Sequence, residues 1–200
     1  MGKVWLVLSG KGGVGKSTIA AALGCALADA GQKVCVVDAD IGLRDQDAIL
    51  GVADRVVYDV VDVADRSCGL SQALIPVESH PGLSLLPAAQ FARVRDLEPK
   101  ALRKIVRRLK DRMDTILIDC PAGIERGVRG AMQCEPDEAL LIATPDDVCI
   151  RNAERTAGLL RDREIPVRLI VNRLQPELIL DGTMYSASTV AQTLELPLLG

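Results

Sequence analysis

The chain has 200 residues, of which 48% are hydrophobic, 26% are charged and only 2% are aromatic, and its formal net charge at pH 7 is -3. This length and apolar content predict a single domain, residues 1–200, whose core is built from Val, Ile, Leu and Ala because aromatic residues are scarce. The slightly acidic balance argues against a dedicated nucleic-acid-binding domain, which would usually be basic.

Short apolar runs alternate with helical patterns along the chain. The runs predict strands at Val4–Ser9, Lys33–Asp38, Leu83–Pro87, Thr115–Asp119, Glu138–Thr144 and Val167–Asn172. The helical patterns lie at Ser17–Ala30, Leu97–Met113, Cys149–Arg163 and Ser186–Glu195. This alternation predicts an α/β fold with a mostly parallel sheet covered by helices on both faces. Residues 42–81 are the least regular, and Leu196–Gly200 resembles the beginning of a further strand.

The stretch SGKGGVGKST, Ser9–Thr18, is a candidate phosphate-binding loop. It matches G-x-x-x-x-G-K-[ST] at every fixed position and lies between a predicted strand and a predicted helix. Lys16 is expected to reach the β- and γ-phosphates, and the Ser17 hydroxyl is expected to bind Mg²⁺. The pattern predicts that the chain binds a nucleotide through Gly12, Gly13, Val14, Gly15, Lys16, Ser17 and Thr18.

Acidic residues follow two other predicted strands, at the edge where ligands collect in open α/β sheets. Asp38 and Asp40 come after the second strand, and Asp119 ends the strand Thr115–Asp119. Asp119 is a candidate to hold Mg²⁺ through water, and one of Asp38 and Asp40 is a candidate to orient the attacking water. The alternative is that these carboxylates cap the helices that follow.

The cysteines and the N-terminus predict a cytoplasmic protein. No two of the six cysteines have C-x-x-C spacing, and Cys25, Cys35 and Cys120 lie in apolar runs, where a thiol acts as a small hydrophobic group. The N-terminus lacks the pattern of a signal peptide, and no segment approaches the roughly 20 apolar residues that span a bilayer.

Together these motifs resemble the deviant Walker A ATPases, the ParA–MinD superfamily, and within it the MinD-like septum-site-determining family. The resemblance covers nearly the whole chain, from Lys3 to about Gly200. The segments that carry it are SGKGGVGKST, DADIGLRDQDAILG, RVVYDVVDV, LLPAAQ, DCPAGIE and ATPDDVCIRNAERTAGLL. It implies a three-layer P-loop NTPase fold and a slow ATPase that uses ATP and Mg²⁺, forms a homodimer in the ATP state and regulates division-site placement.

The resemblance also implies a role for the second lysine of the loop. The lysine that matches Lys11 reaches across a face-to-face dimer to the nucleotide of the partner subunit. A cation supplied in this way resembles an arginine finger, which can accelerate hydrolysis about 10³–10⁵-fold. The implied catalytic residues are therefore Lys11, Lys16 and Asp40.

Further site residues follow from the same matching. Asp40 corresponds to the residue that activates water, and the implied Mg²⁺ site consists of Ser17, Asp40 and Asp119. Residues 119–125 correspond to a second switch that senses the γ-phosphate. Asn172 is expected to hydrogen-bond adenine, with Arg173 beside it, because an amide offers both a donor and an acceptor.

The implied partners are a division inhibitor and a protein that stimulates hydrolysis. In the family, the chain continues with a Pro-Glu-Asp loop and ends in an amphipathic helix that binds membrane when two copies pair. This sequence contains neither, so we expect it to be truncated relative to the family and to bind membrane poorly. A second departure is Asp45-Gln46-Asp47, where relatives usually read Asn-Leu-Asp, which adds a charge beside the first switch.

Other functions remain open from the sequence. One is a DNA-partitioning ParA-like ATPase, with a basic helix face of Lys100, Arg103, Lys104, Arg107, Arg108, Lys110 and Arg112. Such a face opposite an apolar stripe is usually just solvated, so we expect no DNA binding. The others are a flagellar-number or positioning ATPase, an iron–sulfur carrier that uses Cys120 and Cys134, and a binding scaffold whose ATPase has decayed.

Overall fold

A seven-stranded sheet forms the centre of the computed structural model, which describes residues 2–92, 97–123 and 126–200. The strands are β1 (Lys3–Ser9), β2 (Val34–Asp38), β3 (Ile75–Pro76), β4 (Leu83–Leu86), β5 (Thr115–Asp119), β6 (Glu138–Ala143) and β7 (Val167–Val171). Their order is β3-β4-β2-β5-β1-β6-β7, and only β3 runs antiparallel to its neighbour. The predicted α/β class and mostly parallel sheet are confirmed.

Helices connect these strands. In the described residues they are α1 (Lys16–Asp29), α2 (Gln46–Ile49), α3 (Val60–Ala64), α4 (Leu70–Ala73), α5 (Pro99–Lys110), α6 (Arg126–Ala131), α7 (Asp147–Arg161), α8 (Pro176–Leu180) and α9 (Ala187–Leu194). The four helices predicted from the sequence all form, to within a few residues at each end. The largest difference is at α5, which ends at Lys110 where Met113 was predicted and begins only at Pro99, because proline fixes a helical φ at the first position while the preceding Glu98 is extended.

The central strands are buried on both faces, which is why their sequences are continuously apolar. In β5, Ile116 and Ile118 pack into the hydrophobic cluster that includes residues of α5 and α7. Leu117, which points to the other face, packs into a second cluster with Ala28 of α1. Apolar side chains on both faces of the sheet are thus covered by helices, which gives the fold its three layers.

The least regular segment, residues 42–81, contains α2, α3, α4, a 3₁₀ turn at Ala53–Arg55 and the short strand β3. These elements were not predicted, since each is five residues or fewer and too short to show a period. At the other end of the sheet, Leu198 forms a parallel bridge with Leu169 of β7, and the Leu199 N–H donates to the Leu169 carbonyl at 2.8 Å. The expected beginning of a further strand is therefore confirmed.

No helix in the described part of the chain combines the length and the apolar character that crossing a bilayer requires.

Candidate nucleotide-binding site

The carboxyl ends of three neighbouring strands meet at one edge of the sheet. Strand β5 lies between β2 and β1, and Asp38 at the end of β2 is in register with Asp119 at the end of β5. Ser9 ends β1 and leads directly into the phosphate loop. The sheet order therefore brings the loop and the acidic residues of two other strands to the same place.

The loop conformation depends on glycine at two positions. Gly15 has φ of 94°, and a Cβ there would lie 2.4 Å from Nδ2 of Asn172. A Cβ on Gly10 would lie 2.4 Å from the backbone of Asn152 in α7. No side chain caps the N-terminus of α1, so its first N–H groups remain available to an anion, which the helix dipole also favours.

Lys16 is the electrostatic centre of the site. Its side chain is 7% exposed, and its Nζ lies 2.5 Å from Oδ1 of Asp119. The same Nζ lies 3.3 Å from Oγ of Ser17 and 4.0 Å from Oδ2 of Asp40. The structure thus brings together four residues that the sequence analysis assigned to phosphate and metal binding.

A residue without a predicted role, Gln46 of α2, contacts the same carboxylate. Its Nε2 donates to the other oxygen of Asp119, Oδ2, at 2.7 Å and to the carbonyl of Ser17 at 2.9 Å. The Asp45-Gln46-Asp47 departure was interpreted only for its added charge, and the amide of Gln46 was given no role. The available signal was a polar residue at a position where the family resemblance implies leucine.

Crowding of carboxylates affects how readily they ionise. Burial, together with the nearby charge of Asp119, raises the pKa of Asp38 to about 7. Asp38 accepts hydrogen bonds from the backbone N–H groups of Asp40 at 3.0 Å and of Gln46 at 3.3 Å, so it holds both ends of the segment between them. Partial burial raises the pKa of Asp40 despite the opposing charge of Lys16. Both shifts indicate a site in which additional positive charge would be stabilising.

A cleft of about 420 Å³ opens over these residues. Most of the predicted phosphate-binding residues line it, together with Asp40: Gly12, Gly13, Gly15, Lys16, Ser17 and Thr18. A second cleft of about 300 Å³ adjoins it and shares Gly12, Gly13 and Arg173 with it. Val14 lines the second cleft and is otherwise buried.

Lys11 does not face the cleft that Lys16 occupies. It lines the second cleft, and its Nζ lies 3.8 Å from Oδ1 of Asp146 at the start of α7, with both side chains nearly half exposed. Partial burial opposes ionisation of Asp146. Hydrogen bonds from the Thr144 hydroxyl and the Cys149 N–H, and the charge of Lys11, outweigh that effect, so the pKa of Asp146 is lowered. The two lysines of the loop therefore have different surroundings.

Asn172 lies beneath the loop. Its Nδ2 donates to the carbonyl of Val14 at 2.8 Å, which uses one of the two N–H groups of its amide. Arg173 follows with φ of 61° and lines both clefts. Of the expected second switch, residues 119–123 are described and residues 124 and 125 lie outside the described part of the chain.

The residues at this edge fit a nucleotide with Mg²⁺. The free N–H groups of α1 and the Lys16 ammonium suit phosphates, and the oxygens of Ser17, Asp40 and Asp119 suit a hard cation. Among the residues described, no three His, Cys, Asp or Glu side chains form a cage for a metal ion. That is compatible with Mg²⁺, which usually takes one or two carboxylates together with phosphates and waters.

Comparison with known proteins identifies the family. Residues 1–181 match the family model described as ParA, NUBPL iron-transfer P-loop NTPase. The chain is 43% identical over 201 residues to the septum site-determining protein MinD of Synechocystis sp., an alignment that covers 100% of this chain and 75% of that protein. The chain belongs to the MinD family of P-loop ATPases. The resemblance noted in the sequence is thereby confirmed.

Solved MinD structures have the same fold. The MinC:MinD cell division protein complex of Aquifex aeolicus matches with a TM-score of 0.91 and 38% identity, covering 99% of this chain and 80% of that one. The MinD of Pyrococcus horikoshii, complexed with Mg-ADP, matches with a TM-score of 0.88 and 29% identity over 100% of this chain and 80% of that one. This MinD-family chain is therefore an ATPase with the expected three-layer P-loop fold.

The cysteines of this MinD-family chain do not suit the iron–sulfur alternative. Cys120 and Cys134 are 0% and 1% exposed. Burial raises the pKa of Cys134 to about 12 and the pKa of Cys120 well above its usual value. A cluster held between two subunits requires thiolates at the surface, and neither residue provides one.

The basic face of α5 is partly neutralised by acidic neighbours. Arg103 and Arg107 both donate to the carboxylate of Glu135, and Nζ of Lys110 lies 3.8 Å from Asp137. Lys110 is also 8% exposed, so it belongs to the core side of the helix. The face therefore presents fewer free cations than the sequence suggested, which weakens the DNA-binding alternative.

Proposed function

We propose that this chain is a switch ATPase of the MinD type that binds Mg·ATP in the cleft over Lys16 and takes part in placing the division site. The observation that carries the proposal is the convergence of Lys16, Ser17, Asp40 and Asp119 on one cleft, from three separate strand ends. Its ligands are ATP or ADP with Mg²⁺, as in the Mg-ADP complex of the Pyrococcus horikoshii MinD.

Each residue has a task that its surroundings support. Lys16 leaves Asp119 to bind the β- and γ-phosphates, and the backbone N–H groups of residues 12–18 bind the same oxygens. Ser17 and Asp119 would hold Mg²⁺, which would offset the charge of the phosphates. Asp40, which lines the cleft and is held by its N–H to Asp38, orients the attacking water. Asn172 and Arg173 contact the base side of the nucleotide.

We further propose that two copies pair face to face in the ATP state. Lys11 supports this pairing because it lies outside the cleft of its own Lys16 and is exposed enough to reach a partner. Leu43 and Ile49, which line the cleft, are 65% and 43% exposed. Apolar side chains at the mouth of a charged cleft favour a surface that a second subunit covers. Hydrolysis then returns the dimer to monomers.

The proposed partners are proteins of the division apparatus. A division inhibitor is supported by the match to the MinC:MinD cell division protein complex of Aquifex aeolicus. A second partner that stimulates hydrolysis follows from the family resemblance. Both would act on the dimer, since only that state combines two copies of the surface around the cleft.

Particle mass tests the switch. Light scattering of the 21.4 kDa chain with Mg·ATP and with Mg·ADP should give a dimer only with ATP. Lys11→Ala should abolish the dimer and leave ATP binding unchanged, because Lys11 does not line the cleft of Lys16. Asp147→Ala, which removes another exposed charge near the second cleft, serves as the control. A monomer in every case, despite measured ATP binding, would refute the dimer; absence of ATP binding would refute the site itself.

A further inference from the structure

Gln46 connects the first switch to the metal side of the site. It is 0% exposed, and its Nε2 donates to Oδ2 of Asp119 and to the carbonyl of Ser17. Its backbone N–H donates to Oδ2 of Asp38 at 3.3 Å. Through this one residue, the end of β5, the start of α1 and the end of β2 are joined to α2.

The oxygen of the same amide has no hydrogen-bond partner among the described residues. Oε1 of Gln46 is a buried atom, and a buried carbonyl without a donor is destabilising by roughly 1–3 kcal/mol. A leucine would fill a similar volume without that cost. Packing alone therefore does not explain why an amide stands here, and its oxygen remains able to accept a hydrogen bond from a donor that binds beside Asp119.

Asp119 needs a second partner for its carboxylate when a nucleotide binds. In the structure, Lys16 holds Oδ1 and Gln46 holds Oδ2. If Lys16 turns to the phosphates, the hydrogen bond from Gln46 is the contact that still fixes the orientation of the carboxylate. Removing a group that orients a metal-binding carboxylate in this way typically lowers metal affinity or activity by roughly 10–100-fold.

We propose that Gln46 is a positioning residue for Mg²⁺, an inference that rests on the proposed function. Its Nε2 fixes the carboxylate of Asp119, and its Oε1 would be free to accept a hydrogen bond from a water at the metal side. Waters on Mg²⁺ are strong donors, and the ion usually keeps several of them in nucleotide sites. Because Gln46 belongs to α2, the increase in nucleotide affinity that Mg²⁺ provides depends on the position of α2.

The test compares ADP affinity with and without the cation. Dissociation constants for ADP are measured by calorimetry in excess Mg²⁺ and in EDTA. The constant in EDTA divided by the constant in Mg²⁺ reports how strongly the cation increases nucleotide affinity. Gln46→Leu should lower this ratio about tenfold, the lower end of the effect seen when such positioning groups are removed, and change the affinity in EDTA little. An unchanged ratio would overturn the proposal.

A matched control separates coupling from stability. Thr115→Val likewise removes a buried polar group, but at the beginning of β5, far along the strand from Asp119. The Thr115 hydroxyl donates to Gln32 at 2.8 Å. Thr115→Val should leave the ratio unchanged. If Gln46→Leu does not fold, Gln46→Met gives the same comparison with a more adaptable side chain. If the native chain fails to bind ADP in either buffer, the proposed function fails and Gln46 is not the cause.

Discussion

Nζ of Lys16 lies 2.5 Å from Oδ1 of Asp119, although the two residues are 103 positions apart in the sequence. Both side chains are almost fully buried. The lysine of the phosphate loop is therefore neutralised by the acid of β5 in the structure, and phosphates would have to compete for the same ammonium group. The pairing therefore keeps both buried charges neutralised until an anion binds.

Loss of the lysine should destabilise the nucleotide-free protein. Lys16→Ala leaves the buried Asp119 without its counter-charge, which typically lowers the free energy of unfolding by about 3 kcal/mol. Urea denaturation without nucleotide measures it. The double variant Lys16→Ala/Asp119→Asn should recover most of the loss. Lys11→Ala removes an exposed pair and should cost less than about 1 kcal/mol. Equal losses for the two lysine variants would show that the buried pair contributes no more to the free energy of unfolding than the exposed pair.

Asp40 should be needed for turnover and not for binding. Asp40→Ala removes the carboxylate beside the cleft and keeps the backbone hydrogen bond from the N–H of residue 40 to Asp38. We expect ATP hydrolysis to fall by about 10²-fold or more, with the ATP dimer retained. Asp45→Ala is the matched control, because Asp45 lines the same cleft and carries the same charge. Steady-state phosphate release measures both, and native turnover in Asp40→Ala would remove Asp40 from the mechanism.

Substitution of Asn172 can separate two roles of this residue, support of the phosphate loop and recognition of the base. Asn172→Ala removes the hydrogen bond to the carbonyl of Val14, and we expect the affinity for ATP to fall about tenfold, the equivalent of one hydrogen bond. If the remaining amide atoms contact adenine, the preference for ATP over GTP should fall as well. A competition assay with both nucleotides measures this preference. A parallel loss for ATP and GTP would limit Asn172 to holding the loop. Gln175→Ala, beside the second cleft, is the control.

A buried thiol should make the protein less stable in alkali. Burial raises the pKa of Cys35 to about 12, so the folded chain keeps this proton at pH values where the unfolded chain, with an ordinary thiol pKa of about 8.5, loses it. The unfolded state binds fewer protons there, so the free energy of unfolding falls as pH rises from about 9 towards 12, by about 1 kcal/mol per pH unit for this group. Cys35→Ala should show a shallower slope in urea denaturation between pH 9 and 10.5. Identical slopes would contradict the raised pKa.

The longer strands of this protein and its phosphate loop were predictable from the sequence because each is specified by a few contiguous residues. Continuous apolar runs such as Thr115–Asp119 indicate strands buried on both faces, and the loop pattern combines glycines with a lysine at fixed spacing. The short elements between residues 42 and 81 were not predictable, because helices of four or five residues show no period and depend on tertiary contacts.

The partners of individual side chains depend on the tertiary structure. The sequence alone indicates that Lys16 and Asp40 follow strands, that Asp119 ends one, and that Lys11 is an additional charge. The order of the strands in the sheet brought Lys16 to Asp119 and put Lys11 beside Asp146. It also gave Gln46 two contacts at the metal side that its position in the chain did not reveal. Local conformation depends on neighbouring residues, whereas a hydrogen bond between residues 73 positions apart depends on how the whole sheet is assembled.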